Sequence, residues 1–157
     1  MKTRWQWVTQ IQNRKRFFIT AVLLLAATGA ALMGVLANRN FTVDHALKLL
    51  GATLPDGALD VQFSTRATPT RIFWLRFSLD SEDQAVAFWQ QAGITPPQPG
   101  FTPFPQPNPY EAGMAWWQPF GETTSGSYTN TGTRIMEALV DRSGTTGVVV
   151  YLRVYSL

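Results

Sequence analysis

The chain has 157 residues, one histidine and no cysteine. The missing cysteines exclude a disulfide framework, a lipid-modified cysteine anchor, a covalently attached c-type haem and any all-cysteine iron–sulfur or zinc site. The net charge of +3 is unevenly placed: Lys2, Arg4, Arg14, Lys15 and Arg16 stand in residues 1–16 without an acid, whereas the remainder holds eight Lys or Arg against ten Asp or Glu. A nucleic-acid partner needs a basic face on the folded domain, and this domain is mildly acidic.

Residues 17–36 (FFITAVLLLAATGAALMGVL) are twenty consecutive uncharged positions. At about 1.5 Å per residue, a helix of that length spans roughly 30 Å, the hydrocarbon thickness of a bilayer. All five tail cations precede the run and only Arg39 follows closely. The positive-inside rule then predicts a cytoplasmic basic tail over 1–16, a transmembrane helix over 17–37 and an extracytoplasmic domain over 38–157. The expected location is the cell (inner) membrane, as a single-pass protein. A cleaved secretory leader is the competing reading, with Val35-Leu36-Ala37 as its cleavage site. The apolar run is, however, longer than the roughly 7–15 residues of a signal core. Ala26, Ala30 and Gly34 fall at four-residue spacing, a face on which a neighbouring helix can approach closely.

In the outer domain, Thr42 starts a short helix with Val43, Ala46, Leu47 and Leu50 on one face and Gly51 at its end. The segment Leu54-Pro55-Asp56-Gly57 is a turn. A first strand is predicted over 58–65, with Leu59, Val61 and Phe63 on one side. A second spans 71–79 (RIFWLRFSL), and its alternation predicts one buried face. Asp80 or Ser81 then caps a helix to about Ala92, closed by Gly93. Two late strands, over 133–141 and 147–155, form a hairpin around residues 142–146. Residues 114–118 offer a further strand. Helices segregated from strands predict an α+β domain of two layers, an antiparallel sheet with helices on one face.

Seven of the ten prolines lie between residues 95 and 109. That composition forbids helix and central strand and favours an extended polyproline arm over 95–110, able to reach on the order of 45 Å. Its Phe101, Phe104 and Tyr110 are costly to leave in water. The arm either wraps its own domain or lies along a neighbouring subunit. Residues 121–132, rich in glycine and threonine, read as a mobile or partner-ordered loop carrying Tyr128.

Catalytic chemistry is hard to assemble. His45 stands alone, so neither a zinc cluster nor a serine–histidine–aspartate site accompanies it, and no glycine-rich phosphate loop precedes a lysine. Asp80, Glu82 and Asp83 suit a helix N-terminus, where carboxylates complement the dipole. No cofactor, metal site or catalytic residue is therefore expected. An enzyme would require two buried carboxylates bonded to each other in a cleft. Trp116 and Trp117 suit interface anchoring, or else a ligand platform together with Tyr128.

The stretch LPDGALDVQF…RIFWLRFSLDSEDQAVAFWQQAGI, followed by a Trp-Trp segment and a hairpin, resembles membrane-anchored bacterial ectodomains with no assigned active residues. The likeness covers residues 54–94. In build the chain is also similar to small single-pass accessory subunits of bacterial electron-transfer assemblies, of the alternative complex III or reaction centre–antenna type. That resemblance implies an auxiliary subunit without its own cofactor. The leading expectation is a non-catalytic accessory subunit of an integral membrane complex. Its partners are membrane subunits, the lipid bilayer and a soluble extracytoplasmic protein, with no nucleic acid. Ala26, Ala30, Gly34, Phe101, Phe104, Tyr110, Trp116 and Trp117 are its expected contact residues. The alternative is a free-standing anchored module that binds or senses a cell-wall or small-molecule ligand.

Overall fold

Residues 71–79 alternate in space as they do in sequence, yet both sides of the strand are largely buried, and this double burial sets the architecture. The computed structural model describes residues 19–20, 22–26, 28, 41–67, 70–104, 109–119, 121, 123–144 and 147–156. Two units divide the chain, Met1–Asn40 and Phe41–Leu157. In the first, residues 19–20, 22–26 and 28 are helical and exposed. Among the described residues no helix is long and apolar enough to cross a membrane. The basic tail and the rest of the 17–36 run, Ala30 and Gly34 included, lie outside the described residues.

The second unit runs α1 (Val43–Leu50), β1 (Leu59–Ala67), β2 (Arg71–Leu79), α2 (Glu82–Ala92), β3 (Gln98–Pro99), β4 (Thr124–Asn130), β5 (Arg134–Asp141) and β6 (Val148–Ser156). Its strands form one antiparallel sheet in the order β1-β2-β6-β5-β4-β3, an α+β arrangement. The Thr42 hydroxyl accepts the His45 amide at the start of α1, and Gly51 at φ 70° ends the helix in the left-handed conformation that L side chains resist. Gly93 at φ 66° stops α2 in the same way.

Ala46, Leu47 and Leu50 of α1 join Ala85, Phe88, Trp89 and Ala92 of α2 over one face of the sheet. The sheet answers with Phe73, Leu75 and Phe77, Ala138 and Val140, and Val150, Leu152 and Val154. Both helices therefore lie on the same side. The expectation of two layers fails on the other side. There Ile72, Trp74, Leu139 and Tyr151 are buried beneath Phe104 and Trp117. The described residues between β3 and β4 around Phe104, Met114 and Trp117 form a third layer over this face.

Three local expectations change with it. Residues 114–118 are turns rather than a strand: the Met114 amide bonds the Glu111 carbonyl and the Trp117 amide bonds the Met114 carbonyl, each at 2.9 Å. Most of the 121–132 loop is the strand β4, whose weak propensity is overridden by pairing along β5. In β1, a bulge between Leu59 and Gln62, with Asp60 at φ 50°, breaks the alternation. Ala58, Val61 and Phe63 pack on the core, and Leu59 is 60% exposed.

Gly126 shows how tightly the arm crosses the sheet. A Cβ there would stand 2.3 Å from the Phe101 carbonyl oxygen and 2.5 Å from Pro103 Cδ. Gly126→Ala should therefore lower the unfolding free energy by about 1–3 kcal/mol, the usual cost of overpacking. Gly113→Ala, which meets nothing within 4 Å, should stay within about 0.5 kcal/mol. Urea titration followed by tryptophan fluorescence measures both.

Candidate functional site

The third layer is fastened to the sheet by charge. Register places Ser64, Trp74, Arg153, Glu137 and Tyr128 opposite one another in a single row across β1, β2, β6, β5 and β4. The row lies on the face away from the helices, because Val150, Leu152 and Val154 alternate with Arg153 and point into the helix-side core. Glu111 descends from the covering chain. Its Oε1 accepts from Trp74 Nε1 at 2.8 Å and from Arg153 Nη1 at 2.5 Å. Arg153 Nε donates to Glu137 Oε2 at 2.6 Å.

Arg153 is 5% exposed and Glu111 6%, so these charges are removed from water and depend on each other. Burial works against the Arg153 cation, but the hydrogen bond and charge of Glu137 and the hydrogen bond of Glu111 outweigh it and hold the guanidinium above its ordinary range. The guanidinium also lies 4.8 Å from the centroid of the Phe104 ring, a cation–π contact. Tyr155 is pushed up to about 12, first by burial; the negative charges of Glu137 and Glu111 add to the effect and Arg153 opposes it.

Aromatic rings close the site. Trp117 packs edge-on against Phe104, Trp116 and Tyr151 at centroid distances of 5.4, 5.8 and 5.4 Å. With Trp117 4% exposed, the Trp-Trp pair does not form an open ligand platform. Phe104, expected at a partner, is likewise buried within its own domain. Trp116 is half-buried. Phe101 and Tyr110, by contrast, are 42% and 45% exposed, with Arg66 stacked 3.8 Å over the Tyr110 ring. Tyr128 and Ala26 are exposed, whereas Ala30 and Gly34 fall outside the described residues. His45 is exposed, its Nδ1 3.0 Å from the Thr42 hydroxyl.

Chemically, the arrangement is a clamp. Glu111 and Glu137 are each bonded to Arg153, one from the covering chain and one from the neighbouring strand. Among the described residues no group of three or more His, Asp or Glu is placed to hold a metal ion. An open cleft of about 660 Å³ lies between the arm and the start of β4, lined by Pro99, Thr102, Pro119, Thr123 and Arg142 among others. The charged group there is already engaged. Arg142 Nε donates to Glu82 at 2.8 Å, Nη2 donates to the other carboxylate oxygen, and Nη1 donates to Ser125 at 2.7 Å. The hydrogen bonds from Arg142 hold Glu82 below the usual carboxylate range, outweighing its slight burial.

No family model, curated protein or solved structure matches the chain. Glu111, Glu137 and Arg153 were not among the expected site residues. Their signal was present: Arg153 interrupts the apolar run VVVYLRVYS, and Glu137 interrupts RIMEALVD, one strand away in the same hairpin.

Arg153→Met leaves two carboxylates beneath the arm without their cation and should cost about 3–5 kcal/mol. The triple variant Arg153→Met, Glu111→Gln, Glu137→Gln should recover most of that loss, because no unpaired charge remains. Chemical denaturation compares the two. Tyr155 gives a pH signature of known sign. Its folded-state value near 12 exceeds the ordinary value of about 10, so its contribution is complete below pH 10 and is lost as pH rises toward 12. Stability measured across that window should fall in the parent and fall less in Tyr155→Phe.

Proposed function

We propose that this chain is a non-catalytic accessory subunit of a bacterial integral membrane complex, anchored by a helix over 17–37 and stabilising assembly on the extracytoplasmic side. Electron-transfer assemblies are the leading class of complex, from the resemblance in build. The observation that carries the proposal is how the outer unit uses its polar groups. The charges beneath the arm are bonded to one another, and the rings of Trp117 and Phe104 are buried, while Phe101 and Tyr110 on the same arm remain exposed. A domain built this way offers exposed aromatic side chains for contact, beside a cleft whose arginine is already bonded to Glu82 and Ser125.

Two features of the first unit support the anchor. The run over 17–36 is uncharged and its leading side carries five cations. Thr28, one of its few polar side chains, donates its hydroxyl hydrogen to the Leu24 carbonyl, so the group arrives in lipid already bonded. Ala26, Ala30 and Gly34 then form the contact line for a neighbouring helix. Phe101, Tyr110 and Trp116 meet an extracytoplasmic surface of the complex.

The chain should stay with membranes through an alkaline carbonate wash and, after gentle solubilisation, a tagged form should bring integral membrane polypeptides in constant ratio. Phe101→Ser with Tyr110→Ser should weaken that recovery while changing stability by no more than about 1 kcal/mol, since both side chains are half in water. Recovery as a lone chain in mild detergent, or as a free soluble species beginning near Asn38, overturns the proposal.

A further inference from the structure

The two edges of the sheet are treated differently. At one end β3 is two residues long and contains Pro99, and the Thr95 amide bonds the Thr129 hydroxyl while its carbonyl accepts from the Ser127 hydroxyl. Short strands and proline are the usual protection against edge-to-edge pairing. At the other end β1 is nine residues long, contains neither lysine nor proline, and among the described residues pairs with β2 as its strand neighbour. An edge strand of that length is a template for another strand.

The sequence of β1 (LDVQFSTRA) says which strand fits. Laid antiparallel against itself about Phe63, it sets Gln62 against Ser64, Val61 against Thr65 and Asp60 against Arg66. The faces agree as well. Gln62 and Ser64 pair with Arg76 and Trp74, on the side covered by the arm, whereas Phe63 and Thr65 pair with Leu75 and Phe73, on the helix side. A two-fold axis perpendicular to the sheet keeps each side in register with itself, so amide meets hydroxyl and Phe63 meets Phe63. The charges at the ends are opposite, which favours this alignment over a slipped one. The bulge at Asp60 ends regular pairing, and the Arg66 guanidinium that would face it lies 3.8 Å over the Tyr110 ring.

We infer that β1 is a self-association edge: two copies of this chain pair antiparallel through residues 61–65, with Asp60 of each beside Arg66 of the other, joining two six-stranded sheets into one. The inference goes beyond the accessory-subunit reading and does not need it, since the pairing rests on the outer unit alone.

The full chain, purified in mild detergent, tests this with single-cysteine variants on a background free of cysteine. Cross-strand partners have Cα atoms about 4.5–5.5 Å apart, within disulfide reach, whereas diagonal neighbours lie at about 7–8 Å, beyond it. Gln62→Cys mixed with Ser64→Cys should therefore oxidise to a cross-linked dimer several-fold faster than either variant alone. The parent protein should have the mass of two chains by analytical ultracentrifugation, corrected for bound detergent. Arg66→Asp, which sets acid against acid, should shift it toward one chain. A one-chain mass for the parent at micromolar concentrations overturns the inference. So do equal cross-linking rates in the mixture and the single variants, or a different polypeptide captured at position 62 or 64.

Discussion

Arg153 is the residue on which the outer unit turns. A guanidinium inside a protein is tolerated only when its hydrogen bonds are returned by groups of opposite charge, because the loss of hydration is otherwise not recovered. Here one carboxylate comes from the neighbouring strand and the other from the covering chain, so a single buried cation ties two layers together. The indole N–H of Trp74 shares the Glu111 oxygen and sets the height at which that carboxylate sits. A hydrophobic contact would also have held the arm, but without fixing where along the sheet it lands. The directional bonds of Arg153 and Trp74 supply that position.

Everything peculiar to the fold follows from the landing of the arm. An antiparallel sheet with helices on one face ordinarily leaves its other face to water. In this chain the second face carries Trp74, Tyr151 and Leu139, which need a cover, and the segment around Phe104 and Trp117 provides it. Pro103, buried beside Phe104, suits that role, since a residue without an amide donor leaves fewer unsatisfied groups when buried. Gly126 then allows the Phe101 carbonyl to pass close over β4. The exposed aromatic rims at Phe101 and Tyr110 are held in place by the buried part of the same segment.

The architecture separates three kinds of surface. The helix-side core is apolar and closed, and the arm-side core is ionic and closed. Phe101, Tyr110 and Tyr128 are exposed aromatic side chains, and β1 is an edge strand of the sheet among the described residues. Arg142, which joins α2 to the β5–β6 connection through Glu82 and reaches Ser125 on β4, adds a surface fastening of the same design on a smaller scale.

Much of the local structure was legible in the residues themselves. Thr42 and Gly51 bracket α1, Gly93 ends α2, and the alternation of 71–79 and the two late runs marks β2, β5 and β6, because caps and side-chain period are properties of neighbours in sequence. The uncharged run over 17–36 and its flanking cations are equally a matter of sequence, since the cost of placing side chains in water is additive along the chain. Other features were decided only by tertiary structure. β4 has the composition of a loop and becomes a strand because β5 offers it a ladder. Leu59 leaves the core because a bulge inserts one extra residue. The site at Glu111, Arg153 and Glu137 joins residues that are 26 and 16 positions apart along the chain. Charge pairing depends on distance in space, and only the folded sheet brings those three together.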